Sequence, residues 1–369
     1  MKKVKILIAF SAILFALAGC NSCNQQTATT KQEKIKIGVV APLTGDGATY
    51  GASMKRGFDL AFEGDSSYEL LYQDSKFDGK LAVTIEEKYI SIDKVKVIYG
   101  EAASGVSLAM VPISDKNKVI QFSSISSSDD LQKSSDYFFR NVPRNSIQGK
   151  TAAEFVFNNL QISSAAILKD NDDYGLNLSK SFSSVYQSLG GKISSDETYN
   201  SGDKDFKSQL GKIKSSGVKA VFIPGNYAES AIILKQAKEL GLKATFIGGD
   251  GSYSPKLVEG AGKGSEGFCC TIMGVDTSNA YYMEFQKKFV AKYNQQPDVY
   301  DAYAYEAGMI LKEAISKAGN DAEKIKKYLY ETTFTSLTGD LKFDSDGEVL
   351  RNYNVVKVED GLFVNVSTK

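Results

Sequence analysis

Ile35-Lys36-Ile37-Gly38-Val39-Val40-Ala41-Pro42-Leu43-Thr44-Gly45-Asp46-Gly47 decides how the rest of this chain is read. Residues 35–40 are short, mostly apolar and β-branched, and a turn containing Pro and Gly closes them. That combination predicts a strand buried in a sheet. Residues 50–62 follow with apolar side chains at helical spacing, so the unit is strand, turn, helix. The unit then repeats. Short apolar runs at 68–72, 95–99 and 119–122 alternate with helical patterns at 79–91 and 104–116. In the last helix Val106, Ala109, Met110 and Ile113 share one face.

The alternation restarts further on. Strand-like runs at 165–168, 218–223 and 244–247 intersperse with helical patterns at 146–160, 176–189, 205–215 and 228–240. Strands separated by single helices imply parallel sheets covered on both faces. Two such sets imply an α/β protein of two doubly wound, Rossmann-like lobes. Three helices near 278–293, 299–317 and 321–331 precede late strands near 341–343, 353–358 and 362–366. Such a tail fits a chain that recrosses between lobes, with a hinge of three crossings. The expected division is 35–144 with 275–348 for one lobe, and 145–274 with 349–369 for the other.

Ahead of the first strand, Lys2, Lys3 and Lys5 precede an uncharged, mostly apolar run from Ile6 to Gly19. A basic start, a short apolar core and a small-residue end make residues 1–19 a secretory signal peptide. The run is shorter than the ~20 apolar residues of a spanning helix. Leu17-Ala18-Gly19-Cys20 resembles the lipobox of bacterial lipoproteins, whose cysteine is acylated and becomes the mature N-terminus. Residues 20–34 carry Gln, Thr, Asn and Lys with no apolar period and read as a lipidated tether. The expected product is exported, with a lipid anchor as its only membrane contact, and faces the periplasm or the exterior.

Composition narrows the chemistry. The 44 basic and 44 acidic side chains balance, and removing three leader lysines leaves a net charge of −3, which favours no nucleic-acid partner. Histidine is absent, which removes Ser-His-Asp and Cys-His catalysis and the commonest zinc and copper ligand sets. Cys23 sits in the tether, while Cys269 and Cys270 are adjacent. Neighbouring Cα atoms lie about 3.8 Å apart, below the usual disulfide span of about 4.4–6.8 Å. The pair is therefore read as strand residues.

In open α/β sheets, ligands bind beyond the carboxyl ends of strands, at helix N-termini. The first exit gives Ala41–Gly47 and then Tyr50-Gly51; the third gives Gly100-Glu101-Ala102-Ala103-Ser104-Gly105. The fourth gives Ser123-Ser124-Ile125-Ser126-Ser127-Ser128-Asp129-Asp130. The second lobe gives Asp170-Asn171-Asp172-Asp173-Tyr174-Gly175, Pro224-Gly225-Asn226-Tyr227 and Gly248-Gly249-Asp250-Gly251. Hydroxyls and free N–H groups suit a carboxylate, tyrosines offer apolar faces, and Asp250 adds a negative charge. Together they suit a zwitterion with an apolar side chain, meaning an amino acid. Taken singly, Ser, Asp, Gly and Asn at these places are equally helix caps and turns. Joint placement carries the reading.

From the first strand to the end, the chain resembles the periplasmic branched-chain amino-acid binding proteins, receptors of ABC importers with the type I binding-protein fold. The resemblance rests on Ile37–Gly45, Tyr50-Gly51, Asp170–Gly175, Asp203-Lys204-Asp205-Phe206, Gly225-Asn226-Tyr227, Gly241-Leu242 and Ala302-Tyr303-Ala304-Tyr305 in order. It implies that Ser104 and Ser127 hold the ligand α-carboxylate, that Tyr174 and Tyr227 close from the second lobe, and that Asp250 pairs with the α-ammonium. It also implies that Tyr50, Ala102, Ile125 and Tyr300 surround the side chain. Glu63-Gly64-Asp65 makes a shorter turn than the family's Gly-Gly-x-x-Gly connection, and no cysteine stands near Ser75 or Ala103, where some relatives carry a small disulfide loop. Ala102 and Ile125 differ from the usual pocket residues.

The expected protein is thus not an enzyme, uses no cofactor or metal, and works as a monomer. It delivers an aliphatic or aromatic amino acid to an ABC importer permease. The alternatives are a sensor of the same fold feeding a receptor, an exported carboxylate-based hydrolase, and an adhesive surface lipoprotein. Asp344-Ser345-Asp346-Gly347-Glu348 lacks the later ligands of an EF-hand and reads as a turn, and the Lys324–Lys327 region reads as a solvated helix face.

Overall fold

A computed structural model describes residues 33–366. The signal-peptide reading, Cys20, Cys23 and the tether up to residue 32 lie outside the described residues. Two large sheets organise the rest. The first contains β1 (Ile35–Ala41), β2 (Tyr68–Asp74), β3 (Val97–Tyr99), β4 (Ile120–Ser123) and β5 (Phe138–Arg140). Their order is β2-β1-β3-β4-β5, and every pairing is parallel. The second sheet contains β6 (Ser164–Asp170), β7 (Lys192–Tyr199), β8 (Ala220–Ile223), β9 (Thr245–Gly248) and β10 (Cys269–Met273). Two late strands, β13 (Tyr353–Glu359) and β14 (Leu362–Asn365), complete it. Its order is β14-β13-β10-β9-β8-β6-β7, parallel except where β13 and β14 join antiparallel at one edge.

Burial follows position in the sheet. All residues of β3, β4 and β8 are buried, as a strand covered on both faces requires. The edge strand β7, Lys-Ile-Ser-Ser-Asp-Glu-Thr-Tyr, is mostly polar and half exposed. Cys269 and Cys270 are buried free thiols in β10, and burial pushes Cys269 up to about 11.

The helices connecting these strands start where caps allow. The helix α1 (Ala48–Ala61) follows β1, and α2 (Gly79–Lys88) follows β2 with Asp78 accepting the N–H of Leu81 at 2.9 Å. The next two are α3 (Ser104–Asn117) and α4 (Asn145–Glu154). The pattern at 79–91 ends in a wider turn over Tyr89–Asp93, and that at 146–160 ends likewise over Phe155–Asn159. Asp172 starts α5 (Asp173–Ser188) by accepting the N–H of Gly175 at 2.6 Å, three residues before the apolar period begins. The second sheet also carries α6 (Lys207–Ser216), α7 (Tyr227–Glu239) and the short α8 (Pro255–Ala261).

The tail supplies α9 (Ala280–Tyr293), α10 (Val299–Ala318) and α11 (Ala322–Glu331). A small hairpin of β11 (Thr333–Ser336) and β12 (Gly339–Lys342) follows. The expected strand at 341–343 thus lies over Gly339–Lys342, and its partner β11 is additional. Helix α10 returns to pack on α1. A Cβ on Gly57 would lie 2.1 Å from the Asp301 carbonyl, so only glycine lets the two helices approach this closely. Arg56 reinforces the contact, with Nε 2.8 Å and Nη2 3.0 Å from the Asp301 carboxylate. Tyr50 and Tyr300, at the starts of these two helices, thereby stand edge to face with ring centres 5.4 Å apart.

Three connections link the two sheets, at residues 141–144, 274–279 and 350–352. Glu306 of α10 ties two of them to the β11–β12 turn. Its carboxylate accepts from Arg351 Nη1 and Nη2 at 2.7 and 2.8 Å, from Asn141 Nδ2 at 2.7 Å and from the Leu337 N–H at 2.8 Å. Tyr303, also on α10, donates to the Met273 carbonyl beside the remaining connection.

Candidate functional site

The carboxyl ends of both sets of parallel strands face a common cleft. Backbone N–H groups and one hydroxyl gather on the first wall. Ser104 begins α3, and its Oγ accepts the N–H groups of Ser127 and Ser128, each at 3.2 Å. The loop after β4 is fixed from below by Arg140. That side chain is fully buried, donates to the carbonyls of Ser126 and Ser128 at 3.2 and 2.8 Å, and pairs with Glu348 at 2.8 Å. Glu348 ends the Asp344–Glu348 turn, in which Asp344 Oδ1 accepts the N–H groups of Asp346 and Glu348 at 2.8 and 3.1 Å. Behind the third exit, Glu101 takes Ser75 Oγ and the Ala103 N–H, both at 2.6 Å, and burial pushes its carboxyl up to about 7.

The second wall carries the acid. Asp250 follows β9 and is 5% exposed. Its Oδ1 accepts Tyr174 Oη at 2.8 Å and the Gly251 N–H at 3.0 Å. Burial raises its carboxyl above the usual range, opposed by hydrogen bonding from the Gln148 amide, the Tyr174 hydroxyl and the Gly251 N–H. Tyr300 Oη donates to the Asp250 carbonyl at 2.6 Å. Two more tyrosines span the cleft. Tyr50 donates to the Gly251 carbonyl, and Tyr227 donates to the Asp46 carbonyl at 2.7 Å while taking Thr49 Oγ1 at 3.0 Å. These bonds close the walls against each other.

Between them lies a cavity of about 30 Å³. That is room for about one water. Of the expected residues, Tyr50, Ala102, Ser104, Ile125, Tyr174 and Asp250 line it. Ser127 and Tyr300 are buried beside it, and Tyr227 packs edge-on to Tyr50 at 5.3 Å; these three do not line it. Phe77, Ala103, Asp172, Asn226 and Gly251 join the lining. Asp172, Asn226 and Gly251 stand within exit turns whose tyrosine or acid draws the eye first. Phe77 follows β2, the one first-sheet exit without a Gly, Ser or Tyr cluster of the other kind, and the strand-exit rule applied there finds it. A second cavity of about 520 Å³ adjoins the first and shares Phe77, Ala103, Asp172 and Asn226 with it. Among the described residues, no group of three or more Cys, Asp or Glu side chains is placed to hold a metal ion.

A cleft with hydrogen-bond donors on one wall, a buried acid on the other and tyrosines between is a geometry for enclosing a small polar molecule. Comparison with known proteins agrees. The periplasmic binding protein family model matches residues 34–362. The leucine-, isoleucine-, valine-, threonine- and alanine-binding protein of Pseudomonas aeruginosa is 29% identical over 338 residues, covering 89% of this chain and 90% of that protein. A leucine-binding protein of Thermotoga maritima superposes with a TM-score of 0.87 at 30% identity, over 90% of this chain and 98% of that one. The branched-chain amino acid transporter substrate-binding protein of Streptococcus pneumoniae, solved with isoleucine, gives a TM-score of 0.84 at 28% identity, over 90% and 98% of the two chains. With the type I fold of two parallel-sheet lobes, the chain belongs to the periplasmic binding protein family, among the branched-chain amino-acid binding proteins.

Proposed function

We propose that this chain is a lipid-anchored, extracytoplasmic solute-binding protein that closes two lobes over an amino acid and presents it to an ABC importer permease. The observation that carries this reading is the pairing of Asp250 on one wall with the Ser104–Ser127 donor cluster on the other. A zwitterion set between them matches charge at both ends. Tyr50, Ala102, Ile125, Tyr174, Tyr227 and Tyr300 then surround an aliphatic or aromatic side chain. The named relatives, which bind leucine, isoleucine or valine, support that ligand class. The lobes of the proposal are residues 35–144 with 275–348, and 145–274 with 349–369, moving as a monomer about the three connections.

Contacts from both walls exist together only in the closed form, so a ligand using both shifts the population toward closure. Saturating the mature protein with its best ligand from a panel of L-leucine, L-isoleucine, L-valine and L-phenylalanine should therefore reduce its radius of gyration in X-ray scattering. Tm should rise with it, since ligand at 100 times Kd adds about 2.7 kcal/mol to the native state. A Tm rise without compaction would place the ligand within one lobe and end the cleft assignment.

The anchor is proposed at Cys20, because Leu17-Ala18-Gly19 sets the cleavage point immediately before it. A single acyl chain holds a protein at a membrane only marginally, so stable anchoring takes more than one. Fractionation of cells expressing Cys20→Ala should find the protein unprocessed or released. A variant still processed and membrane-bound excludes lipidation at this residue.

A further inference from the structure

Helix α4 meets both walls of the cleft at its first turn. The Asn145 N–H donates to the Ser127 carbonyl at 2.7 Å, and Asn145 Nδ2 donates to the Tyr174 carbonyl at 3.3 Å. One turn on, Gln148 is fully buried. Its amide lies near enough to Asp250 to hold that carboxyl down. Yet neither Nε2 nor Oε1 completes a well-formed hydrogen bond. A buried amide with both ends unmade is costly, and native proteins rarely keep one without a use.

We propose that Gln148 is a positioning residue of the ligand site: its Nε2 donates to Asp250 when the cleft is occupied and orients that carboxylate toward the cationic group of the ligand. The proposal rests on the amino-acid reading above. Asp250 Oδ1 already takes two donors, from Tyr174 and Gly251, so Oδ2 is the oxygen that remains for the amide and the ligand to share. Glutamine suits the task. As a neutral donor it steers a carboxylate without cancelling its charge, whereas a lysine would compete with the ligand and a glutamate would repel Asp250. Its Oε1 adds an acceptor beside the incoming cation. The same residue explains how the first wall is coupled to the acid, because α4 carries both the Ser127 contact and the Asp250 partner.

The test is a double-mutant cycle read by calorimetry, using the strongest binder among L-leucine, L-isoleucine, L-valine and L-phenylalanine, titrated to millimolar concentration. Gln148→Met keeps the length and removes both polar atoms. In the wild-type background it should weaken binding at least about tenfold, while the Tm of the ligand-free protein stays equal or rises because an unpaired amide has been removed. In the Asp250→Asn background the same substitution should change affinity less than about twofold, since the group it positions is altered. Residues that act through one another are non-additive, whereas a structural loss repeats in both backgrounds. Equal losses in the two backgrounds, or a fall in ligand-free Tm with unchanged affinity, overturn the role of Gln148 and leave the amino-acid reading standing. Wild-type protein that binds none of the four overturns both.

Discussion

Glu306→Ala should lower the unfolding free energy by about 3–5 kcal/mol, the usual cost of removing one partner from a buried ion pair. Glu306 is fully buried and Arg351 is 7% exposed, so the guanidinium left behind has little access to water. The loss is compounded by geometry. The one carboxylate accepts from Arg351 twice, from Asn141 and from the Leu337 backbone, and these partners belong to two of the three connections and to the hairpin turn between β11 and β12. Denaturant titration of the ligand-free protein measures the effect as a drop in midpoint. The double variant Glu306→Leu with Arg351→Met should recover much of it, because replacing a whole buried pair by apolar groups is often neutral. Such a protein would be stable but its connections less firmly registered, so its closure under ligand, followed by scattering, should lose amplitude. A single variant as stable as wild type would remove Glu306 from any anchoring role.

Nothing in the local sequence around Glu306 or Arg351 announces this pair, which lies 45 positions apart in the chain. What local sequence does announce is periodicity. The runs at 35–40, 68–72, 119–122 and 218–223 are strands, because apolar β-branched residues bounded by turns have few alternatives inside a parallel sheet. β7 is different. Its Ser, Asp, Glu and Thr side chains reflect an edge position, where one face meets water and the apolar signal disappears. β5 has only three residues, too few for a period. The site divides along the same line. Tyr50, Ser104, Tyr174 and Asp250 could be found because strand exits are fixed places in this fold, whereas Gln148 could not, since it lies inside a helix and reaches Asp250 only through packing. Ser127 shows the remaining gap. Its position after β4 was legible, but that its N–H would point to Ser104 Oγ and its carbonyl to Asn145 depends on the clamp from Arg140.

Asp250→Asn should weaken amino-acid binding by about 2–5 kcal/mol, the cost of removing one member of a desolvated charge pair. Since about 1.4 kcal/mol is tenfold in Kd, the loss is at least about tenfold. The size follows from burial: a carboxylate 5% exposed gains little from water and much from an ammonium brought beside it. The same burial sets the pH dependence. The Asp250 carboxyl is raised above its ordinary value of about 3.9. The charged form is the one that receives an ammonium, so binding weakens as pH falls through that raised pKa, earlier on the acid side than for a solvent-exposed aspartate. In Asp250→Asn this step should be missing. Asp170 and Glu101, both pushed up to about 7 by burial, titrate in wild type and variant alike, so the difference between the two calorimetric pH profiles isolates Asp250. Unchanged affinity in the variant would assign the ligand charge elsewhere. An acid step retained in both proteins would assign the titration to Asp170 or Glu101, and would move the recognition of charge from the cleft wall to the strand exits beneath it.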